Sequence, residues 1–157
     1  MRVGLGFDRR ALTSSGVLVL GDVVVSAVVD ALLGAAGLGG TLRADSDSFE
    51  EGDGSEHALR EAVRLVEREN YQVVNLDISV VTEGVEISPH FASVSERIAE
   101  VVHVSPANVA VKHAGGGHVV WLEAAAGGTG GITAVAVALL NQVSDLDALH
   151  ASIRSGG

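Results

Sequence analysis

The hydrophobic period of this sequence changes abruptly at Tyr71, and that switch limits the possible folds more than any other feature. After Ser55, in EHALREAVRLVEREN, the apolar residues Ala58, Leu59, Ala62, Val63, Leu65 and Val66 recur at helical spacing, which predicts an amphipathic helix. From Tyr71 to Glu83, in YQVVNLDISVVTE, the residues Val74, Leu76, Ile78 and Val80 alternate with Asn75, Asp77 and Ser79, the pattern of a half-buried strand. The rest of the chain also alternates strand-like and helix-like stretches without an internal repeat. Together these patterns indicate an α/β or α+β domain.

The flanking segments fill in the order. Val3 to Gly6 and Gly16 to Leu20 (GVLVL) read as strands, and Asp22 stands where a helix N-cap would. A buried helix is expected over 23–38, ended by Gly37, Gly39 and Gly40, followed by a polar loop over 41–54. A further helix is expected over 89–103, blocked by Pro106, then strands over 108–113 and 118–124 on either side of Gly115, Gly116 and Gly117. The stretch 127–143, GGTGGITAVAVALLNQV, reads as a glycine-rich loop entering an apolar helix.

Composition narrows the function. The 157 residues, 47% of them apolar, suffice for one domain spanning 1–157, with the tail after about residue 143 less ordered. Aromatic residues make up only 3%, so the core has to be built from closely packed Gly, Ala and Val, which also suits tight subunit contact. A net charge of -10 repels phosphate backbones and anionic membrane surfaces, which argues against nucleic acid and membrane partners. Without cysteine there are no disulfides and no thiolate metal sites. MRVGLGFD turns polar too soon for a signal peptide, and no apolar run reaches membrane-spanning length, so a cytoplasmic location is expected.

A series of motifs adds a resemblance. "GFD" at 6–8, "GDV" at 21–23, "DALLGAA" at 30–36, "NLDI" at 75–78, "SPH" at 88–90, "RIAE" at 97–100, "NVAVK" at 108–112 and the pattern from Gly131 to Leu140 occur in order. Taken together they resemble the 2-C-methyl-D-erythritol 2,4-cyclodiphosphate synthase family of the non-mevalonate isoprenoid pathway. The resemblance implies an α+β fold with a mixed sheet and helices on one face. It also implies a homotrimer with its sheets around the three-fold axis and its active sites between adjacent subunits. The implied reaction cyclises a cytidine-diphosphate ester and releases CMP. A zinc ion and a second divalent cation clamp the diphosphate, because two like-charged phosphates approach only when their charge is neutralised and oriented.

At the chemical positions this chain departs from that pattern. The family's Asp-x-His is Asp8-Arg9-Arg10 here, and the third zinc-ligand position carries Ser26, so one ligand of three survives and no metal is expected. A His-Ser pair that holds a phosphate has no counterpart between Leu20 and Asp22. The ribose aspartate is replaced within Gly39-Gly40-Thr41, and the cytidine-pocket Ala-Pro-Lys by Gly84-Val85-Glu86. The Thr-Thr-x-Glu motif gives way to His113-Ala114-Gly115-Gly116-Gly117, and Gly-Arg-Gly-Glu-Gly to Gly127-Gly128-Thr129-Gly130-Gly131. A coherent scaffold without these contacts reads as a family member that has lost the parental reaction and uses no cofactor. An enzyme with a rebuilt site is the other reading.

Several residues keep two readings open. Asp8 and Arg10 form either an anion-binding pair, the arginine standing where the metal stood, or a structural ion pair. Gly130 and Gly131, taken as opening a helix, either cradle a phosphate or make a turn or subunit contact. Lys112 and His113 follow as candidate contacts for a small anionic ligand. His113 and His118 either face each other, to bind a metal or to titrate, or are simply solvated. His57 reads as a surface residue and His90 as a helix-start residue. The acidic loop with Asp45, Asp47, Glu50, Glu51 and Asp53 lacks EF-hand spacing and reads as solvated.

Overall fold

The computed structural model describes residues 1–11, 20–41, 53–82, 87–114 and 131–143. Its elements are β1 (Arg2–Ala11), α1 (Leu20–Ala36), α2 (Asp53–Arg68), β2 (Tyr71–Thr82), α3 (Phe91–Val101), β3 (Val109–His113) and β4 (Gly131–Gln142), with single 3₁₀ turns at Ser88–His90 and Pro106–Asn108. The strands form one mixed sheet in the order β1-β4-β2-β3. β4 runs antiparallel to both β1 and β2, and β3 lies parallel to β2. This is the expected α+β class. The expected strands over 16–19 and 118–124, most of the loop over 41–54, the glycines at 115–117 and 127–130, and the tail after 143 lie outside the described residues.

One face of the sheet makes the core. Ile132, Ala134, Ala136, Ala138 and Leu140 of β4 are completely buried, with Leu76, Ile78 and Val80 of β2 beside them. They join the buried side of α1, then Leu59, Ala62, Val63 and Val66 of α2 and Ile98 and Ala99 of α3, in one continuous cluster. The approach of α1 is set by glycine. A Cβ at Gly4 would lie 1.9 Å from the Ala31 carbonyl oxygen, and one at Gly6 would lie 1.9 Å from that of Ala27. Only a strand without side chains at these positions lets a helix backbone come so close.

The structure corrects four expectations. The stretch from Gly131 to Gln142 is the strand β4 and not a helix. Both of its faces are apolar, which hides the alternation, and its even-numbered residues from Ile132 to Leu140 are the buried ones. α1 begins at Leu20, so Leu20 is helical and Asp22 is a buried residue of the first turn instead of an N-cap. The Val23-Val24-Val25 run is helical because packing outweighs the weak preference of β-branched residues for other conformations. In β2 the register slips between Val73 and Asn75, which makes Val74 the extra residue of a bulge and leaves it exposed, while Val73 packs against the core.

Boundaries elsewhere move little. α2 starts at Asp53, ahead of the expected start after Ser55. The 89–103 helix is divided into a 3₁₀ turn and α3, and β3 starts one residue later than expected. The glycine stop of α1 is present as a Schellman closure: Gly37 has φ 81°, its N–H donates to the Gly34 carbonyl, and the Leu38 N–H donates to that of Leu33.

Candidate functional site

Asp8 and Arg10 lie two residues apart on β1, so both project to the side of the sheet that carries α1. Asp8 is paired in register with Ala134 and Arg10 with Ile132, both buried on that side. Gly4 and Gly6 bring α1 down onto the same strand, and the first turn of the helix then delivers Asp22 to Arg10. The Arg10 Nε donates to Asp8 Oδ2 at 3.4 Å, and Nη1 stands 3.8 Å from Asp22 Oδ2. The other oxygen of Asp8 accepts the Arg9 backbone N–H at 2.8 Å.

Burial distinguishes the two carboxylates. The Asp22 side chain is 8% exposed, against 23% for Asp8 and 44% for Arg10. Asp22 is the one buried charged residue among the described residues. Its position in the first turn of α1 favours a negative charge, and Arg10 supplies the opposite one. Ser26 is half-buried one helical turn beyond Asp22, on the same face of α1. Asp8, Arg10 and Ser26 therefore belong to one region, and sequence reading assigned Asp22 the wrong task there. The signal for Asp22 was the "GDV" motif, but its ion pair comes from a strand far away in sequence.

The other candidates fall elsewhere. Lys112 projects from β3 to the opposite side of the sheet, in register with Ser79, and its ammonium is paired with Asp77. His113 ends β3 in register with Val80 and is exposed. Among the described residues β1 and β3 are the two sheet edges, with β4 and β2 between them, so one chain does not bring Arg10 together with Lys112 or His113. Gly131 opens a strand, paired with Ala11, and the helix N-terminus that was to make it a phosphate cradle is not there. Gly130 lies outside the described residues. His57 is exposed, as expected, His90 stands at the start of α3, also as expected, and His118 is outside the described residues.

The residues do not fit the zinc ion that the resemblance implies. Arginine has no lone pair to give, and its guanidinium already engages the surviving ligand, Asp8. Among the described residues no three His, Cys, Asp or Glu side chains converge as a metal-holding set.

A second ion cluster lies away from this region. Glu56 of α2 accepts from Arg60 of the same helix at 2.6 Å and from Arg97 of α3 at 2.8 Å, and Arg97 also reaches Glu100. Hydrogen bonds from Arg60 and then Arg97 hold the Glu56 carboxyl below its usual pKa. Its exposure and its position between two helices mark it as a structural tie.

Comparison with known proteins agrees with the fold. Residues 21–141 match the model of the YgbB family. The 2-C-methyl-D-erythritol 2,4-cyclodiphosphate synthase of Symbiobacterium thermophilum is 38% identical over 130 residues, 71% of this chain and 83% of that protein. The synthase of Erwinia tasmaniensis is 35% identical over 129 residues, covering 69% and 82% of the two chains. Among solved structures, the Plasmodium vivax synthase superposes with a TM-score of 0.63 at 27% identity, over 91% of this chain and 99% of that one. The Plasmodium falciparum IspF complex with CDP gives a TM-score of 0.66 at 23% identity, over 91% and 97%. With its sheet order, its helices on one face and these relatives, the chain belongs to the YgbB family, that of the 2-C-methyl-D-erythritol 2,4-cyclodiphosphate synthases.

Proposed function

We propose that this chain is a zinc-free homotrimer of the cyclodiphosphate synthase fold that does not carry out the family's reaction and instead binds a small anionic ligand or another protein in the cytoplasm. The observation that carries the reading is the Arg10 guanidinium paired with both Asp8 and Asp22. A cation that cannot accept a ligand's lone pair does not polarise a phosphate as a Lewis acid does. Two carboxylates around one guanidinium leave a negative charge over, so an anion at Arg10 has to compete with groups already bound there. His113, exposed near the other sheet edge, is the candidate anion contact left with no acidic partner among the described residues, since Lys112 is already paired with Asp77.

The outer side of the sheet supports the trimer. Val3 and Leu5 are each 66% exposed, Phe7 49% and Val137 39%, and they lie side by side in register on β1 and β4. So contiguous an apolar surface on a small domain calls for a partner. Adjacent copies would also bring together groups that lie far apart in one chain.

A second reading is an active, CMP-releasing phosphorus–oxygen lyase with a rebuilt site, favoured by the names of the matched relatives. The deciding experiment is metal analysis of the purified protein combined with a CMP-release assay on the cytidine-diphosphate ester. We expect less than stoichiometric zinc and no turnover near that of a family enzyme. One zinc per chain, or CMP release, would establish the second reading. Thermal-shift screening against nucleotides and isoprenoid phosphates then tests for a ligand, since binding to the native state raises Tm.

A further inference from the structure

The structure assigns Arg10 a role of its own: a tethered cation that bridges Asp8 and Asp22 where the family resemblance implies a metal ion, and so fastens the start of α1 to β1. The inference rests on the zinc-free reading above and deepens it, because it gives the lost metal position a present task.

A carboxylate as well buried as that of Asp22 is costly unless it is paired, and its cationic partner is Arg10. Asp8 meets the same guanidinium from the strand side. Two carboxylates from two different elements therefore converge on one positive charge. Neutralising and bridging oxygen ligands from separate elements is also the structural task of a bound divalent cation. Arginine performs it with a planar fork that has donors for both partners and keeps its charge at every accessible pH. Because the guanidinium is covalently tethered, the cluster needs no metal supply and does not respond to a chelator.

Removing the positive charge should then cost stability, and a free cation should restore it. In chelator-treated buffer, Arg10→Ala is expected to lower Tm by at least about 5 °C, whereas Arg10→Lys, which keeps the charge, loses less. Millimolar Mn²⁺ should raise the Tm of Arg10→Ala and leave the wild type unchanged. Adding Asp22→Asn to Arg10→Ala should recover Tm without metal and abolish the Mn²⁺ response. An unchanged Tm in Arg10→Ala, an equal Mn²⁺ shift in the wild type, or a response that survives Asp22→Asn would each overturn the assignment. If Arg10→Ala does not fold, the double variant decides: folding supports an unpaired Asp22 as the cause, and failure to fold refutes it. These outcomes are separable from those of the functional reading. A wild type with zinc and CMP release removes both, while a metal-indifferent Arg10→Ala removes only this one.

Discussion

The two sides of β1 are built on opposite rules. Toward α1 the strand presents Gly4 and Gly6, and the helix answers with Ala27, Ala31 and Ala35, so the contact is nearly backbone on backbone. Toward the outside the same strand presents Val3, Leu5 and Phe7, its largest apolar residues, and all three remain exposed. A monomer that put its large hydrophobes outside and its glycines inside would waste its strongest source of stability. Under the proposed trimer, the outer side would be a second core, completed by other copies of the chain.

The largest effect in this comparison should come from the inner side. Gly6→Val places a Cβ 1.9 Å from the Ala27 carbonyl oxygen and 2.5 Å from the Ala31 nitrogen, both backbone atoms that cannot turn aside. We expect a loss of about 3 kcal/mol or more, measured by urea denaturation. A variant of wild-type stability would break the account of how α1 is seated.

On the outer side, Leu5→Asp should act on assembly more than on the fold of the subunit. Each copy forfeits the burial of one leucine, about 1.5–3 kcal/mol, and gains a charge at the contact. Sedimentation should shift from trimer to monomer while the far-ultraviolet circular dichroism stays native. A wild type that sediments as a monomer at micromolar concentration would remove the comparison's main lesson.

The smallest effect should come from the α2–α3 ion cluster, which belongs to neither side of the sheet. The Glu56 pKa is lowered in the folded state from its ordinary value of 4.5. Its contribution is therefore fully present above that value and is lost as the pH falls through the folded pKa. Glu56→Gln should flatten this acid limb slightly in Tm measured from pH 6 downward, and salt should weaken the wild-type effect, as expected for exposed pairs. A large loss at neutral pH would mean that the cluster does more than tie two helices.

Legibility in the sequence followed the contrast between faces. α2 and β2 were readable because each has one apolar and one polar side. β4 was not, because Val135, Val137 and Leu139 on one side are as apolar as Ala134, Ala136 and Ala138 on the other, so no polar side marks its period. The bulge at Val74 was hidden for a related reason, since neighbouring valines serve either register. At the candidate site, Asp8 and Arg10 could be paired from their spacing alone.

By itself the sequence determined the class of fold, the small-residue core, the family and the arginine and serine at positions 10 and 26, all of which depend on residue type and local order. Tertiary structure decided that Asp22 is buried against Arg10, that Lys112 stands on the other side of the sheet, and that the large residues of β1 face outward. Those facts depend on which side of each element turns toward which neighbour. Local periodicity cannot specify that when both sides are apolar, nor can it say which distant charge a buried carboxylate will meet.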